Sequence, residues 1–303
     1  MKGFLYKLLI FGAIALLTHV IAGYHMNGDT DTNYLRFTPS KNTGLIMGNS
    51  RATQAMCPDD IISHPGLFNA GFSLNTSPYG EIYQAFLMKH INQENKNQFF
   101  VFCVDPWSLS IPVDSISGDD VRVERDKFVA TTRSIAYPNW EFIIEQYPYG
   151  WGNIIKEHYR PTSGMHLHRN GWLEINRVYD DTRSSKRRAR KIQSYRNDVF
   201  VNHHPSDYRK AVLRGMIREM SKLGKVMLVR IPTHPDFFEL EHEFWPTFEQ
   251  EMDKLSKEER VFFWSPKELN EQLTFNDGHH MNYKSSHVFS GLLNEKIAAL
   301  KAM

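Results

Sequence analysis

Short apolar, β-favouring runs alternate with amphipathic helical periods along most of this chain. The runs fall at residues 43–47, 67–70, 98–104, 225–231 and 261–264, and helical patterns occupy 51–56, 79–92, 206–222, 244–255 and 283 onward. Ser77-Pro78 reads as an N-cap and first helical residue for the second of these helices. Strands joined through helices run parallel, and crossover helices then cover both faces of the sheet. The pattern predicts an α/β fold, a three-layer α/β/α sandwich with a mainly parallel five-stranded sheet. With 41% hydrophobic residues among 303, one elaborated domain over 43–303 can bury a large core.

The alternation breaks between about 106 and 204, which reads as a long irregular insertion after the third strand. It is rich in aromatics, among them Tyr137, Trp140, Phe142, Tyr147, Tyr149, Trp151, Tyr159 and Trp172. These form either a small core of their own or a surface that stacks on sugar rings.

Lys2 and Lys7 precede an apolar run that continues to Ala22. It is either a secretory signal cleaved before Gly23 or a single membrane anchor with its N-terminus inside, so residues 1–23 send the rest outside the cytoplasm, to the periplasm or cell surface. Residues 24–42 are polar and read as a linker. The net charge of +2 argues against an electrostatic nucleic-acid binder. Two cysteines, Cys57 and Cys103, give neither a disulfide framework nor a zinc-type CxxC spacing.

Chemistry enters at Leu45-Ile46-Met47-Gly48-Asn49-Ser50-Arg51-Ala52-Thr53-Gln54. A buried strand ends, Gly48 permits a sharp turn, and Ser50 falls at a helix N-terminus. Orphan N–H groups and the helix dipole there favour an oxyanion. By itself, Gly-x-Ser reads equally as a capped strand-to-helix turn. A second block, Phe275-Asn276-Asp277-Gly278-His279-His280-Met281-Asn282, supplies a partner. On one helical turn, Asp277 and His280 share a side. The carboxylate then holds one imidazole nitrogen while the other faces a hydroxyl, the logic of a Ser–His–Asp triad. His279 competes for the base role, and the spacing favours His280.

Arg51 and Arg230 are candidates to hold an anionic group of a substrate, or they form structural ion pairs; Arg230 ends the fourth strand, where open α/β sheets bind ligands. His166, His168, His203 and His204 offer imidazoles for zinc, but with no Cys or HExxH pattern nearby they read rather as surface or core histidines. The basic run Arg183, Lys186, Arg187, Arg188, Arg190, Lys191, Arg196 reads as a solvated helix face, or as a face meeting anionic lipid or an acidic polymer.

Gly48-Asn49-Ser50, Gly71 after the second strand, and Asp277-x-x-His280 before a closing helix together resemble the SGNH (GDSL-type) hydrolase superfamily, whose sheet is flavodoxin-like. The resemblance covers about 43–303 without the insertion. The closing block is similar to that of membrane-anchored members, which commonly act on exported acylated glycans or polymers, often beside a membrane-bound O-acyltransferase. It implies Ser50 as nucleophile, His280 as base, Asp277 as its orienter, and oxyanion donors at the Ser50 and Gly71 amides. The implied activity is that of a serine esterase or O-acyltransferase working through an acyl-serine on a glycan or cell-envelope polymer, with no metal or organic cofactor. Two positions depart from the pattern. Asn49 stands where an Asp is usual, and the Gly-x-Asn block is replaced by Val104-Asp105-Pro106-Trp107, which leaves Asn75 or loop backbone to complete the oxyanion hole. The competing reading is an inactive accessory protein on the same fold, binding a cell-surface polymer or the O-acyltransferase.

Overall fold

The computed structural model describes residues 2–38, 42–72, 79–112, 134–145, 147–159 and 164–302. Helix α1 (Lys2–His25) is long and apolar enough to cross a membrane by length and composition. Its last turn is not free. Ala22 and Met26 are buried, and a Cβ on Gly23 would lie 2.9 Å from Trp140 Cζ3.

Residues 24–42 differ from the expected linker. A turn at Tyr34–Phe37 is wholly buried. Phe37 packs against Phe72, Phe86 and Phe142 with ring centroids 5.1–6.1 Å apart. Three large apolar side chains in a short polar stretch decide this, because their burial outweighs the polarity around them. Arg36 is carried inside with them, and its Nη1 donates to Asn69 O at 2.7 Å. The domain therefore begins before residue 43.

The main sheet comprises β1 (Gly44–Met47), β2 (Leu67–Asn69), β3 (Gln98–Cys103) and two later strands, with α2 (Ser50–Ala55) following β1 and α3 (Glu81–Met88) following β2. Helix α3 is shorter than its sequence pattern, and the Ser77-Pro78 start lies outside the described residues.

Between β3 and the fourth strand of the sheet the chain makes a long excursion. It leaves along β4 (Ser110–Pro112) and continues through α4 (Trp140–Glu145), α5 (Tyr147–Tyr159), a hairpin of β5 (Met165–Leu167) with β6 (Leu173–Ile175), and α6 (Asp181–Ser194). It returns along β7 (His203–Pro205), which pairs antiparallel with β4. Far from being irregular, its described part is mostly helix and hairpin; residues 113–133 lie outside the described residues. Phe142 and Trp172 are buried, whereas Tyr137 and Trp140 stay partly exposed.

The alternation then resumes with α7 (Asp207–Ser221), β8 (Gly224–Val229), α8 (Pro235–Phe244), α9 (Phe248–Glu259), β9 (Phe262–Trp264) and α10 (Tyr283–Ala302). The sequence pattern placed one helix at 244–255. Pro246 instead separates two, because its ring cannot sit inside a helix.

The five strands are all parallel, in the order β2-β1-β3-β8-β9, with helices on both sides. Period-two alternation sorts their side chains into two cores. Leu45, Phe100, Phe102 and Leu228 face α3, α7 and α9. Ile46, Phe99, Val101, Met227 and Val229 face α2 and α10. Helix α10 presents Phe289, Leu293 and Ile297, one helical face at i, i+4 and i+8.

The domain boundary is testable. Tyr34, Leu35 and Phe37 each contribute about 2 kcal/mol of burial, together a large part of a typical domain's stability. A fragment beginning at Met26 should unfold cooperatively in urea. One beginning at Thr43 should lose that transition or shift it steeply downward.

Candidate active site

Strand β1 delivers its last residue to Gly48, whose φ is +155°. A Cβ there would sit 2.7 Å from Ala52 Cβ and 2.8 Å from Cys103 Cβ, so the chain turns tightly against β3 only with glycine. Asn49 caps α2: its Oδ1 accepts from Arg51 N at 2.9 Å. Ser50 is thereby the first residue of the helix, with an N–H that has no intrahelical partner.

The facing loop lies just ahead of α10. Asp277 and His280 do not occupy a helical turn, as the spacing suggested. They sit in a bend closed by Asn276 N–H to His280 O at 2.8 Å and flanked by a bridge between Phe275 and Met281. Asp277 shapes the bend itself, because its Oδ1 accepts the His280 and His279 N–H groups at 3.0 and 3.3 Å. Gly278 holds φ +96° inside it.

Across the gap, His280 Nε2 lies 2.8 Å from Ser50 Oγ, a contact between residues 230 apart in the chain. On the other side of the ring, His280 Nδ1 lies 2.9 Å from Asp277 Oδ2. Nδ1 donates to the carboxylate, which leaves Nε2 free to accept from the Ser50 hydroxyl. Burial pushes the His280 pKa down, against the opposing pull of Asp277, and the net shift is downward. Burial alone would raise the Asp277 pKa; hydrogen bonding and charge from the neighbouring His280 and Lys191 outweigh it and hold the carboxyl well below the usual carboxylate range. The arrangement is an ionised carboxylate, a neutral imidazole and a hydroxyl in a hydrogen-bonded row.

His279 plays a different part. It is buried, and its Nε2 lies 2.7 Å from Lys191 Nζ, which also donates to Asp277 Oδ2 at 2.7 Å. Burial drives the His279 pKa well down, so the ring accepts from the lysine as a neutral base. Lys191 belongs to the basic run, which is therefore not one solvated face. Ser184, Arg188 and Lys191 line one side of α6 at i, i+4 and i+7. Ser184 Oγ donates to Phe275 O at 2.5 Å, Arg188 lies over Gly278, and Lys191 reaches Asp277. Arg183, Lys186, Arg187 and Arg190 stay exposed.

The two candidate substrate arginines are not open to a ligand. Arg51 is buried with Nη2 2.5 Å from Glu241 Oε1, and Arg230 is buried with Nη2 3.0 Å from Glu241 Oε2 and Nη1 2.9 Å from Glu249. The Arg51–Glu241 contact is a close ion pair, and neither Arg51 Nη atom has a geometric hydrogen-bond acceptor among the described residues. Burial works against the Arg51 charge, and Glu241 and Asp105 outweigh it, so the guanidinium stays charged. Both arginines are spent on one fully buried carboxylate, and the structural ion pair is the reading that fits. Glu241 was not singled out from the sequence. It stands on α8, whose signals were Pro235 at the first helical position and Asp236 after it.

The expected oxyanion donors fare unevenly. Ser50 N–H stands at the helix start. Gly71 N–H is engaged by Asn69 Oδ1 at 3.1 Å, so it is not free as the site stands. Asn75 lies outside the described residues. After β3, Asp105 is buried, and its Oδ2 accepts from Asn49 Nδ2 at 2.7 Å while its Oδ1 accepts from Trp107 N and Ser108 N. Burial pushes the Asp105 pKa up, and the Arg51 charge only partly offsets this.

Two groups of described residues converge closely enough to share a cation. Cys57, Asp60 and His287 form one, but His287 is already closed onto Asp60 at 2.6 Å, and burial pushes the Cys57 thiol up to about 12, which disfavours a ligating thiolate. In the other, Asp277, His279 and His280, the Lys191 ammonium already holds the shared space. His166 and His168 pair separately with Asp29 at 2.6 Å and Glu174 at 2.9 Å, and His203 and His204 belong to β7. No family model, curated protein or solved structure matches the chain.

The Asn49–Asp105 pair yields a stability test. Asn49→Asp sets a second carboxylate against the first and should cost about 2–4 kcal/mol at neutral pH. Adding Asp105→Asn should restore most of it, read as coupling in a denaturant double-mutant cycle. In Asn49→Asp, one carboxyl is forced to bind a proton in the folded state, which raises its folded pKa. The deficit should therefore shrink as pH falls.

Proposed function

We propose that this protein is a serine esterase or O-acyltransferase, acting outside the cytoplasm from an N-terminal membrane anchor. Its substrate class is acyl esters of a glycan or cell-envelope polymer. The observation that carries this reading is the row Ser50 Oγ, His280 Nε2, His280 Nδ1, Asp277 Oδ2, at 2.8 and 2.9 Å. Ser50 attacks the acyl carbonyl as His280 takes its proton. The tetrahedral oxyanion forms beside the Ser50 amide. His280 returns the proton to the departing alkoxide and leaves acyl-Ser50. Water or a sugar hydroxyl then gives its proton to His280 and attacks the acyl carbonyl, and His280 passes that proton to Ser50 Oγ as it departs, so hydrolysis and transfer separate only at this last step.

Membership of the SGNH superfamily is part of the proposal. It is supported by the sheet order β2-β1-β3-β8-β9, by Ser50 directly after β1, and by the Asp277–His280 loop directly before the final helix. On this reading, the excursion between β3 and β8 is an insertion into that fold. Anchoring is supported by α1, and the extracytoplasmic placement is supported by Lys2 and Lys7 in its first turns, ahead of the apolar run from Leu8. Exported acylated polymer and a membrane-bound O-acyltransferase are the substrate and partner that the family resemblance brings.

The second reading, an inactive accessory protein binding such a polymer or acyltransferase, is favoured by one specific observation. Gly71 N–H is closed onto Asn69, and a carboxylate rather than an amide follows β3. Loss of one oxyanion donor slows acyl transfer by roughly a hundredfold or more.

A fluorophosphonate probe separates the two. The detergent-solubilised full-length protein should be labelled, and Ser50→Ala should abolish labelling without lowering the melting temperature. A folded wild type that resists the probe over hours would support the accessory reading. Because the neutral imidazole is the active form and burial lowers its pKa, the labelling rate should hold through pH 7 and fall only below about 6.5.

A further inference from the structure

We propose that Lys191 is a positioning residue of the site: its ammonium bridges Asp277 and His279, locks the carboxylate behind His280, and keeps that imidazole a weaker base than a simple carboxylate–histidine pair would. The inference rests on the catalytic reading above for its activity readout, though not for its physical content.

The geometry is specific. Lys191 Nζ is 2.7 Å from Asp277 Oδ2 and 2.7 Å from His279 Nε2, while the same Oδ2 is 2.9 Å from His280 Nδ1. With two backbone N–H groups on Oδ1, the carboxylate accepts four donors and has no rotational freedom left. Two effects follow. Bonds from a charged donor are short and strong, so the orienter is held at hydrogen-bonding distance from the imidazole. A cation sharing the orienter's oxygen also offsets the negative charge that would stabilise the imidazolium. The first effect favours geometry and the second lowers basicity.

Other charged groups set the background. From α2 come Arg51 and the Ser50 hydroxyl, and from α8 comes Glu241, which is paired to Arg51. Arg188 on α6 is closed onto Asp236 at 2.8 Å. His234, which donates its N–H to Gly278 O, has its pKa lowered by burial. Asp105 is tied to Asn49. Tyr195 follows α6 with its phenol kept neutral by burial. Of these groups, Lys191 is the cation hydrogen-bonded to the orienter. Helix α6 holds it there through Ser184 and Phe275, so the placement belongs to the fold rather than to a loose surface side chain.

The test is the pH dependence of fluorophosphonate labelling in the full-length protein. Lys191→Met should move the acid limb upward by roughly one pH unit, through loss of a like charge beside the imidazole. Lys191→Arg should keep the limb near its wild-type position. A purely structural lysine would change the rate at every pH and leave the limb in place, and that result overturns the proposal. Lys191→Gln repeats the measurement with a polar side chain if the methionine variant melts early. The His280 titration followed by 1H–15N NMR reads the same shift with no turnover. If the wild type resists the probe, the catalytic reading fails, and the NMR shift alone decides the role of Lys191. An unchanged His280 titration in both neutral variants sinks it.

Discussion

A helix of six residues is too short to form alone in water, yet α2 carries Ser50. Its carbonyls are claimed from three directions. Asn69 on β2 donates its Nδ2 to Ala52 O and Met56 O at 2.8 and 2.9 Å. Trp172 just before β6 donates its Nε1 to Gln54 O at 3.0 Å, and Ser286 on α10 donates to the same oxygen at 2.8 Å. Ser290, one turn further along α10, accepts from Cys57 N at 2.8 Å. The short helix is therefore a tertiary object. Helix α10 fixes both ends of the hydrogen-bonded row, since its first residues follow the Asp277–His280 bend and its second and third turns seize the end of α2. Phe289, Leu293 and Ile297 supply the burial that holds α10 down, and the serines supply its register.

Charge is arranged around that helix in two separate systems. Glu241, fully buried, is matched by Arg51 and Arg230, and Glu249 then takes the second face of Arg230. Removing Glu241 would strand the buried Arg51 guanidinium without its carboxylate, which is far costlier than the net gain of keeping the pair. The second system is Lys191 with Asp277. Both place a cation next to a carboxylate near His279 and His280, and both cations push these imidazoles toward the neutral form. A neutral, accepting His280 beside Ser50 is thus a consequence of the surrounding electrostatics as well as of burial.

Strand positions were legible because parallel, doubly covered strands need apolar residues on both faces, and such runs stand out between polar helices. Ser50, Asp277 and His280 were legible because each lies in a local pattern: a glycine turn after a strand, and a carboxylate three residues from an imidazole. What escaped reading acts through distant partners. Lys191 looked like one basic residue among many, because which face of α6 meets the 275–280 bend is set by tertiary contact. Glu241 and Asn69 carry no local mark of the groups they satisfy. The stretch 24–42 misled through its polarity, since Tyr34, Leu35 and Phe37 are few but large, and burial is weighed by area and not by count. Pro246 was a visible breaker that the amphipathic period around it concealed.

The end of α1 gives these features a common frame. A tethered domain normally swings on its linker, and the polar residues after His25 suggest such a tether. Instead, Gly23 lies against Trp140 and Ile143 of α4, Ala22 and Met26 are buried in the same core, and eleven residues after Met26, Phe37 joins that core with Phe72 and Phe86. That core lies under β1 and β3, whose carboxyl ends carry Gly48 and Asp105. The helix that is apolar enough to enter a membrane and the strand that presents Ser50 are therefore parts of one continuous hydrophobic body. On the proposed reading, the height and tilt of the Ser50–His280 pair above a bilayer follow from side-chain packing. Substrate selection would then depend on which acyl groups of a polymer can reach that fixed height.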